Sequence, residues 1–440
     1  MKAYSSRPIE RTIIGGFLLV ILTGALLLFF FGASAGRPIS PVDALFTATS
    51  AVCVTGLTVV GTDQLPLASQ ITILILIQLG GLGVMTAVTA SFLLTGRRVG
   101  HYQRLLFTSS IGLDSQAGAV RLVRWIIASV FIIEGIGACC LWILFCGELP
   151  PGHALWNAVF HSVSAFCNAG FSLFPDNLAS WHGSGVVPVV IACLIVIGGM
   201  GFIVLLDVAL RLLRRRKTLS AHSRMVLWTT AVLLAGGSLL LWASSWSSGA
   251  SWSANLKRLP EAMFMSVSAR TAGFNIAPMT NVTSVGAFIL CLLMLVGASP
   301  GSTGGGLKTT TVAVLAMTAI RETQGVRQVT VGRGGIPQST INLSITLAVL
   351  YLSSIGTGII VLGLVEPLPL KNIVFDAFSA LGTVGLSLGD VGRYSPAGKL
   401  VLTLLMFWGR VGLLTFAYGL FRKSVSETGV TYPDASIPIG

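Results

Sequence analysis

The apolar positions of the chain fall into eight runs, each long enough to cross a bilayer as a helix of about 20 residues. They predict spans near residues 12–32, 69–95, 121–146, 184–213, 222–246, 283–320, 338–363 and 396–421. The sixth run is interrupted by a stretch rich in glycine, serine and threonine. The segments inside span pairs 1–2, 3–4, 5–6 and 7–8 are too short to cross and too apolar for surface loops. We therefore expect them to be re-entrant.

Composition supports an integral membrane protein. Only 10% of the 440 residues are charged, against roughly 25% in a typical soluble chain, and 53% are hydrophobic. This balance excludes an ordinary cytosolic enzyme and a disordered chain. The seven cysteines lack zinc-type spacing and mostly fall in apolar runs, so we interpret them as small buried residues.

The net charge of +13 predicts topology rather than a nucleic-acid site. Of the 28 lysines and arginines, 19 fall on one side of the predicted spans and six on the other. The positive-inside rule then places both termini in the cytoplasm, and the re-entrant segments enter from outside. The remaining three, Arg270, Lys308 and Arg410, lie at membrane depth.

The four re-entrant segments repeat one pattern: Asp, Asn or Glu, then Phe three residues later, then Ser-Ala, then Gly. The phenylalanines are Phe46, Phe160, Phe264 and Phe375, separated by 114, 104 and 111 residues. We expect the polar residues that begin the pattern to lie at helix N-termini; they are Asp43, Asn157, Glu261 and Asn372.

The repeat predicts an all-α membrane protein of four covalently linked M1-P-M2 units around a pseudo-fourfold pore. Each unit has a long helix, a re-entrant pore helix and a second helix. The predicted units are residues 1–100, 101–218, 219–330 and 331–425, followed by a C-terminal tail at 426–440. The third unit carries an intramembrane gate loop at residues 297–309.

The residues that end at the repeated glycines form a candidate cation filter. Non-helical backbone at membrane depth is tolerated only where it is buried in protein or lines a water-filled path. Its carbonyls can replace the hydration shell of a cation, and helix C-termini favour positive charge. These residues contain no carboxylate, which favours a monovalent ion held by carbonyl dipoles over a divalent ion. From the carbonyl chemistry we infer potassium over sodium. The candidate filter residues are Val54, Thr55, Gly56, Asn168, Ala169, Gly170, Thr271, Ala272, Gly273, Thr383, Val384 and Gly385.

Within this candidate filter, the predicted potassium ligands are the carbonyls of Thr55, Ala169, Ala272 and Val384. The competing interpretation is that the glycines only permit close helix packing.

The interrupted sixth span predicts a gate below the filter. Pro300 and the glycines around it cannot continue an α-helix, so we expect a flexible loop that blocks or opens the pore. An inert kink is the alternative. Arg410 stands where the other second helices have glycine, and is expected to bind the loop carbonyls or to form a positive barrier. The candidate gate residues are Ser299, Pro300, Gly301, Ser302, Thr303, Gly304, Gly305, Gly306, Lys308 and Arg410.

Five short sequences are distinctive: Thr55-Gly56-Leu57, Ala169-Gly170-Phe171, Thr271-Ala272-Gly273-Phe274, Thr383-Val384-Gly385-Leu386 and Trp408-Gly409-Arg410-Val411-Gly412. In these sequences the chain resembles the Trk/Ktr/HKT superfamily of potassium transporters. Its eight predicted spans resemble the KtrB-like membrane subunits of bacterial Ktr systems.

This resemblance implies potassium uptake at the inner membrane, with sodium as an activator, by a homodimer in which each protomer has its own pore. It also implies a cytoplasmic KtrA-like RCK ring that binds ATP or ADP and gates the pore, so no nucleotide is expected on this chain.

Two other classes of function remain for comparison. A secondary transporter with broken helices would couple sodium or proton movement to solute uptake, and predicts repeats of opposite topology. An intramembrane enzyme would need a catalytic set, and no His–carboxylate or Ser–His pair falls together at membrane depth. We therefore expect a transporter and no enzyme.

Overall fold

The computed structural model describes residues 9–83, 119–214, 217–246, 251–326, 328–331, 334–413 and 415. The end of the predicted span 69–95, most of the end of span 396–421 and the tail 426–440 lie outside these residues. So do many of the basic residues predicted to be cytoplasmic: Lys2, Arg7, Arg97, Arg98, Arg104, Arg215, Arg216, Arg327, Arg333, Arg422 and Lys423.

The first half of the described chain contains two successions of helices that begin with a long apolar helix. The first succession is α1 (Ile9–Ser34), α2 (Pro41–Val52) and α3 (Leu67–Leu82). The second is α4 (Ala119–Phe145), α5 (Pro151–Phe166), α6 (Val186–Gly199) and α7 (Phe202–Leu212).

The second half repeats this order. The third succession is α8 (Ala221–Ser244), α9 (Trp252–Leu256), α10 (Leu259–Ser268), α11 (Ser284–Leu295) and α12 (Thr309–Thr323). A small antiparallel pair follows, β1 (Thr330–Val331) and β2 (Gly334–Gly335). The fourth succession is α13 (Gln338–Val365), α14 (Leu370–Gly382) and α15 (Pro396–Val411).

Among the described residues, four helices are long and apolar enough to cross a membrane: α1, α4, α8 and α13. The pair α6 and α7 is a fifth candidate, although it bends by 104° at its break. This break lies inside the predicted span 184–213, where no interruption was expected from the sequence. Gly201 at the break has a φ of 92°, and a Cβ there would lie 2.6 Å from the carbonyl oxygen of Pro300. The carbonyl of Pro300, in a segment distant in sequence, therefore lies against the break, where a residue with a Cβ would not fit.

We call α2, α5, α10 and α14 the half-helices, because they contain the repeated sequence pattern. Asp43, Glu261 and Asn372 lie in the first turn of their half-helices, as expected. Asn157 does not, and this prediction is wrong: α5 begins six residues earlier, at Pro151, a residue suited to a first helical turn. The side chain of Asn157 instead donates to the carbonyl of His153 at 2.9 Å.

The half-helices form the centre of the packing. Each one contacts the long helix of its own succession, and the four repeated phenylalanines are buried. Each half-helix also contacts the second helix of the preceding succession: α3 packs on α5, α6 on α10, α11 on α14, and α15 on α2. The last of these contacts joins the end of the chain to its beginning, and Lys399 Nζ lies 2.7 Å from Asp43 Oδ1 across it. The four successions therefore close a circle.

Candidate functional site

The four repeated glycines meet at the centre of this circle. A Cβ placed on Gly56, Gly170, Gly273 or Gly385 would lie less than 3.0 Å from a carbonyl oxygen in the next succession. These oxygens belong to Ala169, Ala272, Val384 and Thr55, in that order. Because the fourth contact returns to the first succession, the glycines form a closed ring around one axis. All four have φ between 69° and 95°, which a residue with a Cβ rarely adopts.

Each glycine ends a three-residue filter stretch, and we use this name for residues 54–56, 168–170, 271–273 and 383–385. The first residue of every stretch also has positive φ: 57° at Val54, 60° at Asn168, 71° at Thr271 and 51° at Thr383. This backbone is uncommon for any residue with a Cβ, and three of the four are β-branched. Strain that recurs at the same position in four repeats is typical of a functional site.

Backbone hydrogen bonds orient the first carbonyl of each stretch. The N–H of the second residue donates to the carbonyl of the serine near the end of the half-helix, at 2.7–2.9 Å in all four repeats. A peptide unit is planar, with its C=O and N–H on opposite sides. When the N–H points back to the half-helix, the preceding carbonyl points away from it, towards the other three stretches. These carbonyls belong to Val54, Asn168, Thr271 and Thr383.

A cavity of about 320 Å³ opens on one side of the glycine ring. The four glycines form its floor, and the residues that follow them in sequence form its walls. The lining contains two carboxylates, Asp63 and Asp390, and among the described residues that form it there is no lysine or arginine. The guanidinium of Arg393 lies 3.9 Å from Asp390, and with two carboxylates against this one arginine the charge of the vestibule still favours cations.

The opposite side of the ring is covered by residues 297–308, which we call the central loop. The loop folds back on itself, since the N–H of Gly297 donates to the carbonyl of Leu307 at 2.8 Å. The N–H of Gly305 donates to Thr383 Oγ1 at 3.1 Å, and Thr303 Oγ1 donates to the carbonyl of Phe166, also at 3.1 Å. The loop therefore touches the first residue of a filter stretch and the end of a half-helix.

The loop is also hydrogen-bonded to the second helices. The N–H of Ser299 donates to the carbonyl of Gly199 at 3.1 Å, and the N–H of Phe202 donates to the carbonyl of Gly301 at 2.9 Å. On the other side, the N–H of Gly306 and the carbonyl of Gly409 are 3.4 Å apart. Vestibule, glycine ring and loop thus follow one another along one axis.

All three basic residues predicted at membrane depth contact the central loop. The guanidinium of Arg410 donates to the carbonyls of Thr303 in the loop and Gly80 in α3. Lys308 Nζ donates to the carbonyl of Gly304 at 2.9 Å. Arg270, which immediately precedes a filter stretch, has its Nη2 3.4 Å from the carbonyl of Gly297. Arg410 thus makes a hydrogen bond to a loop carbonyl, the contact expected in the first of the two roles considered for it.

The glycines of the second helices have a packing role. A Cβ on Gly80, Gly198 or Gly409 would lie less than 3.0 Å from the carbonyl oxygen of a residue at or beside the end of its own half-helix. Those residues are Val52, Phe166 and Leu381. Here the packing interpretation of repeated glycines applies, and the second helix can approach the filter closely.

Sequence reasoning assigned no role to the serines of the repeated Ser-Ala pair. All four are fully buried. Each hydroxyl forms a hydrogen bond with a backbone group of the glycine that ends its own filter stretch or of the residue that follows this glycine. The signal was present in the sequence, because serine recurs in every repeat at Ser50, Ser164, Ser268 and Ser379. The buried carboxylate of Glu134 accepts from the side-chain amide of Gln78, 3.1 and 3.2 Å from its two oxygens.

Apolar helices that cross a bilayer several times around a ring of backbone carbonyls define a multi-pass membrane transport protein. A family model described as "Cation transport protein", the TrkH model, matches residues 11–424. The chain belongs to this TrkH family, whose members are transport proteins and not enzymes.

Its relatives match over nearly their whole length. The potassium/sodium uptake protein NtpJ of Enterococcus hirae is 34% identical over 98% of this chain and 97% of its own. The Ktr system potassium uptake protein B of Bacillus subtilis is 36% identical, over 97% and 95%. The crystal structure of the potassium transporter TrkH from Vibrio parahaemolyticus superposes with a TM-score of 0.76 at 20% identity, over 95% of this chain and 86% of that one. This last likeness concerns the fold.

Proposed function

We propose that the protein takes up potassium ions across a bacterial inner membrane through the glycine ring. The observation that most directly supports this proposal is the closed ring of four glycines. Each glycine has positive φ and lies against a carbonyl of the next repeat. Carbonyl dipoles arranged around one axis can replace the hydration shell of a monovalent cation. The family and the potassium and sodium uptake named for the relatives support the same ions.

Three features of the site favour cations over anions. The half-helices end immediately before the filter stretches, so the negative ends of their dipoles face the ring. The vestibule contributes Asp63 and Asp390. The filter stretches contain no carboxylate of their own, so the ligands are neutral carbonyls, in our proposal those of Thr55, Ala169, Ala272 and Val384.

The central loop is the proposed gate. Its contacts with Thr383 and with the carbonyl of Phe166 support a position across the inner end of the filter. Arg410 holds the loop to α3, and opening requires that this contact be released or moved. Serine, threonine and glycine suit such a segment, since they can exchange hydrogen-bond partners without a change in packing volume.

We also propose a topology and an assembly for the protein, and its membership of the TrkH family supports them. We propose four M1-P-M2 units with eight spans, divided at residues 100, 218 and 330, and with both termini in the cytoplasm. Two chains form a homodimer, and a cytoplasmic RCK ring that binds ATP or ADP controls the loop. The Ktr system named for relatives is consistent with a partner subunit. Sodium stimulates uptake in this proposal.

Rubidium uptake in a bacterium that lacks its own potassium uptake systems tests the proposal. Cells expressing the chain with its cytoplasmic ring should take up rubidium, faster with sodium present, and regain growth at low potassium. Absence of uptake, with the protein present in the membrane, would contradict the proposal. A secondary transporter would instead show obligatory uptake of a second solute with sodium or protons.

A further inference from the structure

We propose that Ser50 and Ser379, near the ends of their half-helices, are positioning residues of the filter, whereas the equivalent Ser164 and Ser268 bond backbone beyond the glycine ring. The four serines thus form two pairs with opposite hydrogen-bond directions. The inference rests on the proposed function, because it assigns residues that orient the proposed potassium ligands. It concerns Ser50, Ser164, Ser268 and Ser379, all fully buried.

In the first pair the serine hydroxyl accepts a hydrogen bond from the filter glycine. Gly56 N lies 3.1 Å from Ser50 Oγ, and Gly385 N lies 3.0 Å from Ser379 Oγ. Since a peptide unit is planar, an N–H held at the serine forces the carbonyl of the preceding residue to point the other way, towards the axis. These carbonyls belong to Thr55 and Val384, which are two of the four proposed potassium ligands.

In the second pair the hydroxyl donates instead of accepting. Ser164 Oγ donates to the carbonyl of Phe171 at 2.7 Å, and Ser268 Oγ donates to the carbonyl of Phe274. The hydroxyl therefore holds the carbonyl that follows the glycine on the half-helix side, away from the axis. The glycine N–H is not bound to the hydroxyl in these repeats; that of Gly273 lies 3.3 Å from the backbone carbonyl of its serine.

The glycine conformations divide in the same way. Gly56 and Gly385 have φ of 95° and 94°, whereas Gly170 and Gly273 have φ of 69° and 75°. The members of each pair are neighbours in the ring, since Gly385 contacts Gly56 and Gly170 contacts Gly273. The ring thus has two halves, and only one of them uses a side-chain acceptor to fix its glycine peptide.

The two halves should respond differently when the hydroxyl is removed. Without its acceptor, the buried N–H of Gly56 or Gly385 is left unpaired, which favours rotation of that peptide. Rotation turns the carbonyl of Thr55 or Val384 out of the filter. Removing the hydroxyl of Ser164 or Ser268 frees only a carbonyl beyond the ring. Discrimination between potassium and sodium should therefore depend on the first pair.

The test is rubidium uptake by cells expressing the full chain with its ring, measured at a fixed activating concentration of sodium and competed with potassium or with additional sodium. The readout is the ratio of the two concentrations that halve uptake. Ser50→Ala and Ser379→Ala should lower this discrimination about tenfold, because each removes one fixed ligand, while Ser164→Ala and Ser268→Ala stay within about threefold. Ser379→Thr keeps the hydroxyl and should therefore retain most of the wild-type discrimination between potassium and sodium.

Cysteine variants keep the test decisive where an alanine variant fails to reach the membrane. Cysteine is close to serine in shape but is a weak acceptor, so Ser50→Cys and Ser379→Cys should lower discrimination in the same direction. Unchanged discrimination in these variants, or an equal loss in all four repeats, would overturn the inference. Lack of potassium-selective uptake by the wild-type chain would instead contradict the proposed function, before any variant is compared.

Discussion

Replacing Arg410 with alanine should release the central loop and raise basal ion flux. The guanidinium donates to Thr303 in the loop and to Gly80 in α3. Only the bond to Thr303 must break when the loop leaves the filter, because α3 is not part of the loop. The contribution of Arg410 to the free-energy difference between the blocking and displaced positions is therefore one hydrogen bond from a charged donor.

A hydrogen bond from a charged group contributes about 1.5–3 kcal/mol, and each 1.4 kcal/mol is tenfold in an equilibrium. Loss of this bond should shift the loop towards its displaced position by roughly 10- to 150-fold. Basal flux rises in proportion while the blocking position still dominates. The assay is rubidium flux into proteoliposomes of the purified chain without its cytoplasmic ring.

Arg410→Lys distinguishes a tether from a barrier. Lysine keeps the positive charge but cannot reach two carbonyls with a planar fork, so a tether predicts raised flux in this variant as well. A barrier predicts flux as low as that of the wild-type chain. The control is Arg224→Ala, which removes an exposed arginine from the start of α8. Wild-type flux in Arg410→Ala, at equal protein level and thermal stability, would refute the reasoning.

Three further predictions concern the ring, the loop and the closure of the circle. Gly385→Ala should abolish selective uptake, because the added Cβ would meet the carbonyl of Thr55. The control Gly363→Ala adds a Cβ in open space and should leave uptake intact. Equal uptake by the two variants would contradict the proposal that ions pass through the glycine ring. Deletion of residues 300–306 should raise basal rubidium flux, and unchanged flux in a folded variant would count against a gate. Lys399→Ala should lower the melting temperature, because it removes the ion pair with Asp43. The double variant Lys399→Glu with Asp43→Lys should recover part of the lost melting temperature. A double variant that melts no higher than Lys399→Ala would argue that the ion pair does not stabilise the fold.

The repeat was sufficient to predict the candidate filter positions, because the four copies share a spacing and end at a glycine. It was not sufficient for the boundaries of each copy. Asn157 has the aligned position of Asp43, yet α5 starts earlier because Pro151 provides a first turn there. Local residues, and not the repeat, determine where a helix begins.

Features that depend on distant segments were beyond the sequence. The contacts of the break at Gly201 with Pro300 and Gly301 join segments that are distant in sequence, and nothing in the local pattern indicates either contact. The opposite directions of the serine hydrogen bonds were equally hidden, since the four serines align in sequence. The two hydrogen-bond directions accompany two different φ angles of the filter glycine, which the aligned sequences do not indicate.

The most direct test of the central claim is the reversal potential of the purified chain in a planar bilayer, with potassium on one side and sodium on the other. A ring of carbonyls that selects potassium predicts a reversal potential far from zero, with the sign that opposes potassium flow out of the potassium-containing side. A reversal potential near zero in equal concentrations of the two ions would contradict the claim, as would the absence of cation current from a folded protein with its central loop deleted.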